Sequence, residues 1–481
     1  MKQFNYKITT TTNVSSILNE VQQKLADTSY LSVLFHIYSS GYSDDNILKL
    51  QQEIYEVFPN AYICGTSCNG AIYNGQLVEK GIVLAISAFE DTKIETHLIK
   101  CEKNGEAIVG NRVKQIINDS PNIRAAEIII TLKSINSHTI LNIVETCNES
   151  VPIFGGGSAN FDITGTDTKV IVNNSICHEG VALVIYSGND LIVDIHHAIG
   201  WKPLGKEFLA TKIEGKRLYE LNDIPAGDVY RNYLDIQADD DFFSNILEFP
   251  IMSHQHGIEV LRMPFSCSNE DKSILLAADI DKGTPVHLSY GDPQVIQEDV
   301  TTLKNIVKDF SPEAIFLTSC GVRRLYWKYL INDETSPFAE IAPVAGFYSS
   351  GEIMRMDNYL IEHHVTLIAI SMREGKCVAS KPAENTLKAE PKTDNEIIHS
   401  QMSLVKRLAN FINVTSAELQ AANEQLQAAN NQLQEIADTD ALTGLYNRRM
   451  LDRLVHDAIK RATKYKIEMT LGIVDIDDFK K

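Results

Sequence analysis

Ala61-Tyr62-Ile63-Cys64-Gly65-Thr66-Ser67-Cys68-Asn69-Gly70 runs from an apolar stretch straight into a glycine and serine turn. A short apolar run bounded by turn residues reads as a buried strand. The figure returns at Val151-Pro152-Ile153-Phe154-Gly155-Gly156-Gly157-Ser158-Ala159-Asn160, and more loosely at Pro343-Val344-Ala345-Gly346-Phe347-Tyr348-Ser349-Ser350-Gly351-Glu352.

Around each turn the same order recurs: amphipathic helix, apolar strand, second helical segment, strand into the turn, closing strand. In the first copy the helix carries Val14, Ile17, Leu18, Val21 and Leu25. Strand 31–38, helix 45–58 and closing strand 82–89 follow. The second copy has its helix around Ile108, Val113, Ile116 and Ile117, then strand 127–132, helix 138–147 and closing strand 181–187. The third has helix 295–310, strand 314–318 and closing strand 365–371. Repeated βα units predict a layered α/β fold. Whether the sheets are mixed, and how the copies pack, is open at this level. Between copies two and three, residues 257–290 read as a β-rich insert, with Lys282-Gly283-Thr284 a turn before Val286-His287-Leu288.

These landmarks resemble a FIST sensory module with its N- and C-terminal halves, expected at 1–205 and 206–378. The resembling residues are Cys64-Gly65-Thr66-Ser67 and Gly155-Gly156-Gly157-Ser158 in the first half. In the second they are Arg262-Met263-Pro264, Ser319-Cys320-Gly321-x-Arg323 and Gly346-Phe347-Tyr348-Ser349-x-Gly351-Glu352-Ile353. The resemblance implies intracellular sensing of a small, amino-acid-like ligand coupled to an output domain, with no cofactor for the sensor.

Residues 379–396, dotted with Pro and Lys, read as a linker. Beyond it Ile398, Val405, Ile412, Leu419, Leu426 and Leu433 fall seven apart, with Leu408 and Ile436 three residues after members of that row. Such a seam marks a coiled coil, here over 397–437, and it requires a second copy, so a homodimer is expected. Its reach is about 60 Å at about 1.5 Å per residue.

Asp440-x-Leu442-Thr443-Gly444-Leu445-x-Asn447-Arg448-Arg449, followed by Asp475-Ile476-Asp477-x-Phe479-Lys480, resembles the opening of a GGDEF diguanylate cyclase domain, an α/β ferredoxin-like fold, over 438–481. Asp475 follows the apolar run 471–474 and is expected at the end of a buried strand. The resemblance implies that Asp475 and the carbonyl of Ile476 hold Mg²⁺, that backbone N–H groups around Asp478 and Phe479 meet the phosphates of GTP, and that Lys480 neutralises phosphate charge. The sequence stops before the Asn-Asp that should follow Lys481 and before the GGDEF signature, so the chain as it stands is expected to be inactive. Fragment and truncated gene are both open.

A formal charge of −19 opposes nucleic-acid or anionic-membrane binding through a broad basic face. No apolar run approaches the 18 or more residues of a spanning helix, and the N-terminus lacks a secretory pattern. A cytoplasmic location is expected. The eight scattered cysteines include no C-x-x-C pair and read as buried thiols. His196-His197, His254-x-His256 and His363-His364 carry no metal-site spacing, since adjacent strand residues face opposite sides.

Glycine turns at strand ends expose backbone N–H groups that can hold an anion or carboxylate. This makes Gly65, Thr66, Ser67, Gly156, Gly157 and Ser158 candidate ligand contacts, although tight turns alone would also need glycine. Arg323 and Glu352, beside glycine turns at matched repeat positions, could take the two ends of a zwitterion, or could pair at the surface. Phe347 and Tyr348 are candidate pocket walls, or core. The expected function is a ligand sensor regulating the conversion of two GTP to cyclic di-GMP. The alternative is a stand-alone ligand-binding protein.

Overall fold

The structure, a computed structural model, describes residues 1–26, 29–132, 134–162, 165–375 and 394–475. Two units result, Met1–Met402 and Ser403–Lys481.

The first repeat contains β1 (Lys2–Ile8), α1 (Val14–Leu25), β2 (Ser32–Ser40), α2 (Asp44–Val57), β3 (Tyr62–Ser67), β4 (Ala71–Tyr73), β5 (Gln76–Val78) and β6 (Gly81–Phe89). The second contains β7 (Lys93–Lys100), α3 (Glu106–Asp119), β8 (Ile123–Ile130), α4 (Ser137–Glu145), β9 (Ile153–Gly157), β10 (Val170–Val172), β11 (Ser175–Cys177) and β12 (Gly180–Ser187). Then come β13 (Leu191–Ala198) and the insert: β14 (Trp201–Glu214), β15 (Arg217–Leu221), β16 (Ile224–Pro225), α5 (Ala226–Leu234), α6 (Phe242–Ile246), β17 (Ile251–Gln255), β18 (Ile258–Arg262), β19 (Pro264–Cys267), β20 (Ile274–Leu276) and β21 (Pro285–Gly291). The third repeat resumes with α7 (Pro293–Phe310), β22 (Ala314–Cys320), α8 (Gly321–Trp327), α9 (Ile331–Thr335), β23 (Val344–Ser349), β24 (Glu352–Met356), β25 (Tyr359–His363) and β26 (Leu367–Glu374).

Helix ends follow local chemistry. Asn13 caps α1 by accepting the Ser16 N–H, and Leu18, Val21 and Leu25 form its buried stripe. Asp292 caps α7, Pro293 opens it, and Ser311 closes it in the left-handed region.

Each repeat builds one sheet and lends a hairpin to another. The strand orders are β1-β6-β2-β3-β10-β11, β25-β24-β9-β8-β12-β7 and β13-β26-β22-β23-β4-β5. Aligned, all three read outer strand, closing strand, first strand, turn-bearing strand, borrowed hairpin. The pairs β2–β3, β8–β9 and β22–β23 are parallel, and the remaining pairings are antiparallel, so the sheets are mixed. Hairpin β10–β11 of the second repeat pairs with β3 of the first, β24–β25 of the third with β9 of the second, and β4–β5 of the first with β23 of the third. The exchange closes a ring in which the edge of each turn-bearing strand is covered by a neighbour's hairpin.

The inner faces of the three sheets meet in one core, where Tyr38, Ala85, Phe154, Tyr186, Phe316, Phe347 and Ile370 pack together. The outer faces are covered separately. Helices α1 and α2 bury Leu18, Ile47 and Ile54 on the first sheet, and α3 and α4 bury Val113, Ile140 and Val144 on the second. Helix α7 lies on β13 and β26 of the third sheet. Being covered on both faces, the closing strands are apolar throughout, as in Ile82-Val83-Leu84-Ala85-Ile86.

The insert forms a further sheet of order β18-β17-β21-β14-β15-β20-β19, with β16 on β15. Strand β14 pairs with β21 and β15, and so runs through the expected division at 205/206. The Lys282-Gly283-Thr284 turn lies where its sequence places it, with Gly283 at φ 83°.

Helix α10 (Asp394–Asp438) is one helix of 45 residues, in the second unit from Ser403 onward, and α11 (Arg448–Tyr465) follows. The linker expected at 379–396 lies outside the described residues up to 393. The apolar run 471–474 forms no strand, contrary to expectation, and Ile473 and Val474 are exposed. A lone extended segment has no ladder to join, and no described strand of this unit is there to pair with it. No described helix is long and apolar enough to cross a membrane.

Candidate functional site

The three glycine turns are the vertices of the ring. A Cβ on Gly65, Gly155 or Gly346 would fall 2.3, 1.8 or 1.9 Å from the carbonyl oxygen of Ile37, Ile128 or Leu317 on the adjacent parallel strand. Only glycine fits that recurring position. The turns then bond to one another. Asn69 N–H donates to the Tyr348 carbonyl at 3.0 Å and Tyr348 N–H to Gly70 at 2.9 Å. Gly157 N–H donates to Gly351 at 2.7 Å and Ser350 N–H to Gly157 at 3.1 Å, while Ala159 N–H reaches Ser67 at 3.0 Å. Ser67 and Ser158 N–H groups go to Lys169 and Ile130, and the Thr66 hydroxyl donates to Ser158 Oγ at 2.8 Å. The residues expected to cradle an anion, Gly65–Ser67 and Gly156–Ser158, are therefore buried and tie the repeats together.

Arg323 and Glu352, expected beside a ligand or at the surface, are likewise buried and partnered within the body. Arg323 is wholly buried, pairs with Glu334 through Nε at 2.9 Å and through Nη2, and donates to the Val365 carbonyl at 2.9 Å and to the Ile199 carbonyl. Trp201 stacks over its guanidinium, 5.1 Å from the ring centroid. Glu352, equally buried, accepts from the Ser349 hydroxyl and the Thr366 N–H, and burial pushes its carboxyl well above the usual range. Both residues hold the turn between β25 and β26, where Val365 sits at φ 57°. For a β-branched residue that is strain of about 1–3 kcal/mol, sustained only where the surroundings over-determine it. Phe347 stacks on Tyr38 at 5.2 Å in the central core, and Tyr348 is also buried.

A buried polar centre that the sequence reading did not reach lies inside the ring: His36 Nε2 is 2.9 Å from Glu127 Oε2, which accepts from the Tyr186 hydroxyl at 2.8 Å. It joins the first sheet to the second.

The cavity suited to a ligand lies elsewhere, on the outer side of the second sheet. It measures about 530 Å³, within the range of small-molecule sites. Helix α4 and strand β25 form one wall, β17, β18 and the 278–284 connection the other, and Lys216 reaches in from the turn between β14 and β15. On its floor Glu362 accepts from the buried Ser137 hydroxyl, and its other oxygen is 3.1 Å from His364 Nε2. Burial opposes the charge of Glu362. The His364 hydrogen bond and charge, the Lys216 ammonium and the Ser137 hydroxyl outweigh it and hold the carboxyl at about 2. His364 is itself pushed down by burial, against the opposing hydrogen bond and charge of Glu362. Arg262 donates to the Asp279 carbonyl at 3.2 Å, the Glu362 carbonyl at 3.0 Å and Gln255 Oε1 at 3.2 Å. His363 points away, its ring 5.4 Å from that of His197, and burial holds it well below the usual histidine value.

The sequence contained two hints of this site, the Arg262-Met263-Pro264 landmark and charged residues inside an apolar strand at Glu362-His363-His364. What it could not show is that hairpin exchange carries Glu362 onto the sheet of Ser137, 225 residues away.

In the second unit the 438–449 motif builds a joint. Asp440 Oδ1 accepts from Leu442 N–H at 3.2 Å and from the Thr443 N–H and hydroxyl at 3.0 and 2.9 Å. Asn447 caps α11 through the Met450 N–H, while its amide and Arg449 Nη2 each donate to the Ala437 carbonyl at 2.7 Å, finishing α10. Of the residues expected to hold Mg²⁺ and phosphate, Asp475 lies in exposed coil, and Ile476, Asp478, Phe479 and Lys480 fall outside the described residues. The described residues form no metal-ligating cluster, so the donor set expected for Mg²⁺ is not assembled among them.

Residues 33–224 match the FIST N domain, residues 226–355 the FIST C domain, and residues 437–481 the diguanylate cyclase GGDEF domain. Comparison with curated proteins gives no match.

Proposed function

We propose, for a chain that carries FIST N and FIST C domains ahead of a GGDEF domain, that it is a cytoplasmic signal-transduction protein whose FIST body binds a small, amino-acid-like ligand and so regulates diguanylate cyclase output. A GGDEF domain implies GTP as substrate, two molecules giving one cyclic di-GMP, and such domains generally use Mg²⁺. In this reading Asp475 and Ile476 belong to the metal site and Asp478, Phe479 and Lys480 to the phosphate site of the complete domain.

One observation carries the proposal. In α10 the row Val405, Ile412, Leu419, Leu426 and Leu433 is between 60% and 65% exposed, and from Leu419 to Leu433 only Ala, Asn, Gln and Glu lie between its members. An isolated helix with such a seam gains stability by pairing with a copy of itself, which would bring two output domains together. Sedimentation of the purified chain tests this: a dimer is expected, and Leu419→Asn with Leu426→Asn should dissociate it. A monomer at high concentration, with or without added ligand, overturns the transmission scheme.

A further inference from the structure

Building on the sensor reading, we propose that the cavity between α4, β25 and the insert sheet is the ligand site, and that its ligand is a basic amino acid. Four carboxylates, Glu145, Glu362, Asp279 and Asp281, line it against the two cations Lys216 and Arg262. Among its carboxylate, lysine and arginine groups the lining holds a surplus of negative charge, which favours a cationic occupant.

Two acceptors there await donors. Glu362 is 7% exposed, and beyond the His364 nitrogen 3.1 Å away its Oε1 has no donor. Asp279 Oδ1 is likewise buried without a donor. Unpaired buried acceptors cost free energy, which an ammonium or guanidinium group in the cavity would recover.

A bare polyamine does not fit, because of Lys216. The Arg262 guanidinium is committed to carbonyls and Gln255, whereas Lys216 has no hydrogen-bond or ion-pair partner among the described residues and lines the same cavity. A free ammonium among carboxylates repels a polycation and attracts a single carboxylate. The ligand therefore sets its carboxylate on Lys216 and its cationic groups toward Glu362 and Asp279, with its methylenes along Leu141, Val260 and Leu360.

The test is thermal unfolding and calorimetric titration of the full chain with L-lysine and L-arginine, beside L-leucine, which lacks the second charge, and cadaverine, which lacks the carboxylate. L-lysine or L-arginine at millimolar concentration should raise Tm, the other two much less. Lys216→Met, at a side chain that makes no hydrogen bond to another residue, should weaken binding by about tenfold or more. Glu362→Gln should do the same, and Asp281→Asn, at an exposed position, replaces it if the buried variant folds poorly. If Lys216→Met binds as wild type, the site is wrong while ligand sensing stands. Equal binding of cadaverine overturns the carboxylate contact. If neither basic amino acid binds, the ligand class falls, and the sensor reading is judged separately by the sedimentation experiment.

Discussion

The FIST body and the second unit use apolar residues in opposite ways. In the body, exchanged hairpins close a ring, and Arg323, Glu352 and the glycine turns all find partners within it. In the second unit Leu419, Leu426, Leu445, Leu451 and Ile473 face outward, and α11 buries none of its residues. The lesson is that α10 and α11 leave their apolar residues without cover among the described residues, whereas in the body buried charge is partnered across three near-copies.

That contrast can be broken most sharply at Arg323. Arg323→Met strands Glu334 in the interior, and the body should lose about 3–5 kcal/mol in urea unfolding. A change below 1 kcal/mol would mean that the pair does not hold the turn at Val365. Gly155→Ala drives a Cβ into the Ile128 carbonyl and should cost at least about 1–3 kcal/mol by the same measurement. Its control in the second unit, Gly444→Ala, meets nothing within 4 Å and bears only left-handed strain at φ 69°, about 1–2 kcal/mol, confined to the joint.

A pH series sharpens the comparison further. His363 is held well below its ordinary value by burial, then by the charges of His197, Arg262 and His364, with Glu362 opposing. The unfolded chain therefore takes up a proton that the native body refuses, so its contribution to stability is full above about pH 6.5 and is lost as pH falls below that value. The unfolding midpoint of the body should drop across that window, and His363→Phe should flatten the drop. The smallest effect on body stability belongs to the rod: Leu426→Asn should leave urea unfolding of the body within about 0.5 kcal/mol of wild type while weakening self-association in sedimentation.

Much of the fold was legible because periodicity and turn chemistry act locally. Helix 14–25 coincides with α1, closing strand 82–89 with β6 to within a residue, and the 397–437 rod lies inside α10. The outer strands β1, β7 and β13 and the borrowed hairpins were not legible, since short half-buried strands carry little alternation of their own. That the glycine turns, Arg323 and Glu352 are buried and partnered within the body was not legible for a related reason. A glycine that admits an anion and one that admits a neighbouring carbonyl look alike in sequence, as do a charge that faces a ligand and one that faces Glu334.

By itself, then, the amino-acid order determined three α/β repeats, a heptad-patterned helix and a GGDEF motif, because propensity, capping and hydrophobic spacing are written within tens of residues. Only the tertiary structure decided that the repeats exchange hairpins in a ring, that the glycine turns are its vertices, and that Ser137, Lys216, Arg262 and Glu362 share one cavity. Strand pairing across hundreds of residues depends on which open edge each hairpin covers, and no local pattern encodes that choice.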